Sequence, residues 1–289
     1  MAVHRINFKS NILEMPVDVN VITPTPKRHQ NPEDYYTSEK KYPVLWLLHG
    51  GGGDHNDWLN YTNIIRYAED KGFIVVCPNG LDSDFAPQPQ FAGNYDFPEF
   101  FSHELMPFIY CYFPAGKEPE NNFMSGPSMG GSGTLLLAMM HPEKFGAIAP
   151  LSCSLRNSPF LQDYQEYTGG EFRALAMKNR QMFPTEWADP SEGISIKELN
   201  AICKYPTIKE YLNSYDNTGS RYLETYSRLP KMYYTCGTKD PCYPKGLEFE
   251  KLTHKLGVEN AFFEYVPGYA HEWSFWDLAI QKAMDFFAR

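Results

Sequence analysis

A chain of 289 residues with 43% hydrophobic content can bury a large core without disulfide or metal staples, and it reads as one domain carrying an insertion. The formal net charge of −9, with no basic tract anywhere, argues against nucleic acid and against an anionic membrane surface as partners. The first residues hold no apolar signal-type core, and no stretch approaches the roughly eighteen apolar residues of a membrane span, so the expected location is the cytoplasm. Cys77, Cys111, Cys153, Cys203, Cys236 and Cys242 are scattered through apolar surroundings, as reduced packing thiols would be, and the separation of Cys236 from Cys242 matches no metal or redox spacing.

In chain order, residues 1–23 alternate apolar and polar positions and predict two antiparallel strands broken near Pro16. Residues 24–41 are a polar, proline-containing loop. Tyr42 to Leu48 is a continuous apolar run of the kind buried on both faces of a sheet, and it leads directly into His49 and the glycines Gly50 to Gly53. Trp58 to Lys71 reads as one helix stopped at Gly72, Phe73 to Cys77 as a buried strand, and Pro98 to Phe113 as a helix. Further strands follow at Asn122–Ser125, Phe145–Ser152, Lys231–Cys236 and Ala261–Val266, with helices after Ser128, over Lys245–Leu256 and over Phe275–Phe287. This alternation is the pattern of a parallel sheet covered by helices on both faces. Residues 155–230 break the rhythm with a polar, tyrosine-rich segment containing helical pieces (171–179 and 196–202), and are expected to form a lid at the carboxyl edge of the sheet.

Gly126-Pro127-Ser128-Met129-Gly130 is a G-x-S-x-G turn between a strand and a helix-forming run. So sharp a turn brings strand and helix together, which excludes side chains at Gly126 and Gly130 and leaves the serine at the apex. Its place at a helix N-terminus sets its hydroxyl near backbone N–H groups and the positive end of the helix dipole. No G-x-G-x-x-G is present, and Gly50–Gly53 lacks a following Lys-Ser/Thr, so dinucleotide and phosphate-loop readings fail.

A serine hydroxyl is a poor nucleophile until a base takes its proton, and the base must itself be oriented. In elbow-type hydrolases the order is serine, acid, histidine. Asp240 follows one late strand and His271 follows the last, both on loops at strand carboxyl ends, where ligands gather in an open α/β sheet. The other histidines are worse placed, since none follows the last strand. The oxyanion of a tetrahedral intermediate needs two N–H donors. Met129 is the first, and the second is assigned to Gly51 in the glycine loop, with Gly52 as the alternative. His49 and His55 with Asp54 and Asp57 lack any standard metal spacing. Trp58, Trp273 and Trp276 read as packing residues rather than substrate stackers.

The N-terminal Asn-Ile-Leu-Glu-Met and Val-Asp-Val-Asn-Val-Ile segments, the Leu-Leu-His-Gly-Gly-Gly-Gly-Asp block with Trp58, Ser-Met-Gly-Gly131, Cys-Gly-Thr-Lys-Asp240 and Gly-Tyr-Ala-His271-Glu-Trp-Ser-Phe-Trp276 resemble the esterase D-type, tributyrin esterase branch of the α/β-hydrolases. That group includes feruloyl esterases and S-formylglutathione hydrolases. The resemblance spans the chain except for about 155–230. It implies an α/β-hydrolase fold with a mostly parallel eight-stranded sheet, a Ser128–Asp240–His271 triad, and Met129 and Gly51 as oxyanion donors. Two departures stand out: Pro127 before the serine supplies no N–H and fixes φ, and the intervening segment is longer than in compact relatives.

The function expected is that of a serine carboxylesterase acting on short-chain acyl or hydroxycinnamoyl esters. It needs no cofactor and no metal; its partner is a small-molecule ester, and homo-oligomerisation is left open. The alternatives are S-formylglutathione hydrolysis, acyl transfer to a sugar acceptor, and a catalytically silent hydrolase-fold binding protein.

Overall fold

The computed structural model describes residues 1–88, 95–153, 229–255 and 257–288. The segment expected to form a lid, 155–230, lies outside the described residues apart from Leu229 and Pro230, as does Cys203. Among the described residues no helix is long and apolar enough to cross a membrane.

Eight strands form the main sheet: β1 (Ala2–Lys9), β2 (Pro16–Thr23), β3 (Val44–Leu47), β4 (Ile74–Pro78), β5 (Asn122–Pro127), β6 (Ala147–Leu151), β7 (Lys231–Gly237) and β8 (Ala261–Val266). Their order across the sheet is β1-β2-β4-β3-β5-β6-β7-β8. The first two are antiparallel to their neighbours and all later pairs are parallel. Strand positions agree with the sequence expectation to within a residue or two at each end.

Burial explains why these runs are strands. Val44, Trp46 and Leu48 point into one core cluster with Ile74, Val76, Met124 and Ile148, while Leu45 and Leu47 point into the other with Val75, Phe123 and Ala149. A strand buried on both faces has no polar side, so its sequence is continuously apolar. On the first face lie α4 (Met106–Tyr112), α5 (Met129–Met140) and α6 (Tyr243–Lys255); on the second lie α2 (Asp57–Tyr61), α3 (Ile64–Lys71) and α7 (Trp273–Phe287). Each fully buried Leu, Ile, Val or Phe in these layers contributes about 1.5–3 kcal/mol relative to exposure.

Three stretches differ from expectation. The 24–41 loop contains a short helix, α1 (Pro32–Tyr36), started by Asn31, whose side chain accepts from the Glu33 N–H. The single helix expected over Trp58–Lys71 is two, α2 and α3. Thr62 is extended, its hydroxyl donates to the Trp58 carbonyl and accepts from the Ile64 N–H, and Asp277 on α7 accepts the N–H of Asn63. Side-chain bonds thus replace the helical ladder at the break. Gly72 ends α3 in the left-handed region, at φ 74°, as expected. The helix expected from Pro98 begins at Phe97 and runs through a π-helical stretch, Phe100–Leu105, before α4.

Asn122, the first residue of β5, is fully buried and uses its whole hydrogen-bonding capacity. Its Oδ1 accepts from the Trp46 indole N–H at 3.0 Å and the Tyr110 hydroxyl at 2.8 Å, while Nδ2 donates to the carbonyls of Gly116 at 3.1 Å and Glu118 at 2.9 Å. It ties β3, α4 and the loop before β5 together directly upstream of the serine turn. Asn122→Ala strands a buried indole N–H and two carbonyls, so a loss of about 3 kcal/mol is expected. Urea unfolding monitored by tryptophan fluorescence should show a lower midpoint at unchanged m-value; an unshifted midpoint would refute this role.

Candidate active site

The strand-turn-helix expected around Ser128 is present. Ser128 sits between β5 and α5 at φ 53° and ψ −117°, a region costly for a residue with a Cβ. Its N–H donates to the Leu151 carbonyl at 2.9 Å. A Cβ on Gly126 would lie 2.8 Å from the Gly130 carbonyl carbon, and one on Gly130 would lie 2.6 Å from the His49 carbonyl oxygen. Both clashes are with backbone, so neither site can relax around a side chain, as the motif predicts. A Cβ on Gly131, to which the motif assigns no role, would meet Leu151 O at 2.8 Å.

The glycine loop after β3 is held by side chains at both ends. Trp58 donates its indole N–H to the Leu48 carbonyl at 2.7 Å. His49 is 1% exposed; its Nε2 accepts the Gly80 N–H at 2.9 Å, which puts the ring proton on Nδ1 to donate to the Gly50 carbonyl at 2.7 Å. His49 is therefore a neutral buried strut, with both nitrogens used within the protein and neither offered to a metal. Burial holds its pKa below the ordinary value, against the opposing pull of the Gly50 carbonyl and of Asp57, Asp54 and Asp82. Further along, the Gly52 N–H donates to Asp82 Oδ1 at 2.6 Å and the Gly53 N–H to the Gly50 carbonyl at 3.2 Å. Gly51 stands exposed next to the elbow, and a Cβ built on it would lie 4.0 Å from that of Met129.

Asp240 and His271 come together on neighbouring loops. His271 Nδ1 is 2.9 Å from Asp240 Oδ2; the carboxylate is fully buried and the imidazole 31% exposed. Two loops converge because β7 and β8 pair in parallel up to Gly237 and Val266, after which Lys239 N–H donates to the Tyr269 carbonyl at 2.9 Å and Thr238 N–H to that of Val266 at 3.0 Å. Burial alone pushes the Asp240 carboxyl up, but hydrogen bonds from His271, the Cys242 N–H and Ser152 outweigh it and hold the pKa below the usual value. The imidazole and the Ser128 hydroxyl are not hydrogen-bonded to each other in this arrangement. Such contacts often tighten only when substrate is bound.

Ser152 and Trp276 complete the site in ways that the sequence did not show. Ser152 follows β6 at φ 46°; its hydroxyl accepts the Trp276 indole N–H at 3.0 Å and helps hold the Asp240 carboxylate ionised. The Trp276 ring stands edge-on to His271 with centroids 4.9 Å apart. Since the Leu151 carbonyl accepts the Ser128 N–H, the last residue of β6 and the one after it link the elbow to the Asp240 and Trp276 side chains. A serine at a strand end has no recognisable motif, and Trp276 is legible only as packing, which it also provides. Trp58 is buried as expected, and Trp273 stacks on Tyr61 at 5.0 Å.

With this geometry in place, the chain can be set beside known proteins. Residues 23–201 match the family model for Esterase. An acetyl esterase from Caldicellulosiruptor saccharolyticus is 25% identical over 293 aligned positions, covering 100% of this chain and 99% of that one. An endo-1,4-beta-xylanase/feruloyl esterase from Xylanibacter ruminicola is 35% identical over 117 residues, 37% of this chain and 16% of the relative. Among solved structures, the substrate-bound fluorophosphonate-binding serine hydrolase F of Staphylococcus aureus superposes with a TM-score of 0.72 at 25% identity, over 100% of this chain and 98% of that one.

The neutral His49 strut has a pH signature. Its folded pKa lies below the unfolded value of about 6.5, so on acidification through that value the unfolded chain takes up a proton that the folded chain refuses. Stability therefore falls as pH drops below about 6.5, by up to about 1.4 kcal/mol per pH unit from this residue. Urea titrations between pH 7 and 5 should give a steeper loss for wild type than for His49→Gln; parallel profiles would exclude a neutral buried His49.

Proposed function

The chain belongs to the Esterase family of α/β-hydrolases, and from that premise we propose that it hydrolyses carboxylic esters through an acyl-enzyme on Ser128. His271 takes the proton from Ser128 Oγ as that oxygen attacks the ester carbonyl, and returns it to the departing alcohol as the carbonyl–alkoxy bond breaks. A water then gives its proton to His271 as it attacks the acyl carbon, and His271 returns that proton to Ser128 Oγ as the acyl–Oγ bond breaks, releasing the acid and the free serine. Asp240 orients the imidazole and stabilises its charged form. The observation that carries this reading is the 2.9 Å His271–Asp240 hydrogen bond, formed at the same sheet edge from which the strained Ser128 turn emerges.

The oxyanion falls to the N–H groups of Met129 and Gly51, each worth about 3–4 kcal/mol of barrier. Gly51 is preferred over Gly52 because the Gly52 N–H is already given to Asp82. The substrates proposed are short-chain acyl or hydroxycinnamoyl esters, in keeping with the names of the acetyl and feruloyl esterase relatives. A cytoplasmic setting is part of the proposal.

The test is hydrolysis of p-nitrophenyl acetate, butyrate and octanoate, ethyl ferulate and S-formylglutathione by wild type, Ser128→Ala and Asp240→Asn. Wild type should act on at least one ester, Ser128→Ala should lose at least about a thousandfold in kcat, and Asp240→Asn about 10⁴-fold. A wild type inert on the whole panel, or a Ser128→Ala variant that keeps its rate, overturns the reading. Preference for S-formylglutathione would reassign the substrate to a thioester while keeping the mechanism.

A further inference from the structure

Cys242 lies beside the acid and base, two residues beyond Asp240 in the same turn. Its N–H donates to Asp240 Oδ1 at 2.7 Å, which folds the turn back on the carboxylate. One ligand atom each from Asp240, Cys242 and His271 fall within 4.8 Å of one another. We propose that these three side chains form a binding site for a thiophilic divalent cation, Zn²⁺ being the best match, and that its occupation reversibly switches the hydrolase off.

The donor set argues for that class of ion. Carboxylate oxygen, thiolate sulfur and imidazole nitrogen suit zinc and its neighbours, whereas Mg²⁺ and Ca²⁺ require all-oxygen shells. Zinc binds such ligands at about 2.0–2.3 Å, which places tetrahedral neighbours about 3.3–3.8 Å apart. From their outer limit of 4.8 Å the atoms here need to close by about 1.0–1.5 Å, about the amplitude of a side-chain adjustment. The His271 side chain, 31% exposed, is free to make that adjustment. On binding, the Cys242 thiol releases its proton to solvent, and two anionic ligands balance the dication. Three protein ligands leave the fourth position to water.

Loss of activity follows from proton bookkeeping. His271 presents Nδ1 to Asp240, so that nitrogen is the one a metal would take. A neutral imidazole bound through Nδ1 carries its only proton on Nε2, the nitrogen that must accept the proton of Ser128. The metal also engages the carboxylate that orients the ring. A loaded molecule is therefore inactive even with its ester pocket open, and partial loading lowers kcat without altering KM. The effect on activity rests on the reading of His271 as the base; the binding of the metal does not.

Zn²⁺ should inhibit ester hydrolysis with KM unchanged, EDTA should restore the rate, and Mg²⁺ and Ca²⁺ should have no effect. Scaled to its own metal-free rate, Cys242→Ser should need at least about tenfold more Zn²⁺ for half inhibition. Co²⁺ gives a readout independent of turnover. Wild type and Ser128→Ala should both develop a thiolate-to-cobalt charge-transfer band, Cys242→Ser should lose it, and Cys111→Ser, which removes the exposed cysteine among the described residues, should keep it. A Cys242-dependent band from a protein inert on every ester supports the site while sinking the esterase reading. No band in wild type, or zinc inhibition undiminished in Cys242→Ser, overturns the proposal.

Discussion

The structure depends on a close approach of backbone to backbone at one point. The end of β3, the end of β5 and the first turn of α5 meet with no room for a side chain at Gly126 or Gly130, where the obstacles are the Gly130 and His49 carbonyl groups. The candidate site is arranged around that contact. It forces Ser128 into a positive-φ turn, sets the head of α5 against the glycine loop, and brings Gly51 beside Met129. Strain of this kind costs about 1–3 kcal/mol, and it persists only where the surroundings dictate it. Here the double burial of β3 and β5 and the filled hydrogen-bond shell of Asn122 supply that constraint.

Residues whose type alone carries information were legible. A glycine that must touch backbone, a serine between two such glycines, and a continuous apolar run each have few alternative explanations, so the elbow and the β3–glycine loop could be read from the chain. Asp240 and His271 were singled out by order and by their positions after strands, and the structure brings the two side chains within 2.9 Å of each other. What escaped were roles created by tertiary contact. His49 belongs to the glycine motif, yet its part as a strut depends on the Gly80 N–H, contributed by a loop thirty-one positions away. Ser152 acquires its role from Trp276, 124 positions further on. The break between α2 and α3 depends on Asp277, which no local propensity reports.

Asp240 and His271 are held as one hydrogen-bonded unit. Gly237 allows the two loops to meet, since a Cβ there would lie 2.3 Å from the Tyr269 carbonyl oxygen, and Gly268 N–H adds a bond to Thr238 Oγ1 at 3.1 Å. Ser128 is set by β5 and α5, and the Asp240–His271 pair by β7 and β8. The two are registered against each other through the end of β6, where the Leu151 carbonyl accepts the Ser128 N–H and the Ser152 N–H donates to Thr235 on β7.

That role of β6 bears on how such a protein can diversify. Strands β6 and β7 are hydrogen-bonded neighbours, with Ala147 opposite Lys231 and Leu151 opposite Thr235, and the Ser152 N–H donates to the Thr235 carbonyl at 2.9 Å. Because the two strands are parallel, the chain between them leaves at one edge of the sheet, after Leu151, and re-enters at the opposite edge, at Lys231 beside Ala147, as a crossover between neighbouring strands. Loop-closure entropy grows only as the logarithm of length, each doubling costing about 0.6 kcal/mol. A crossover of this kind can change in length without disturbing the pairing of β6 with β7, on which the alignment of the Ser128 turn with the loop of Asp240 rests.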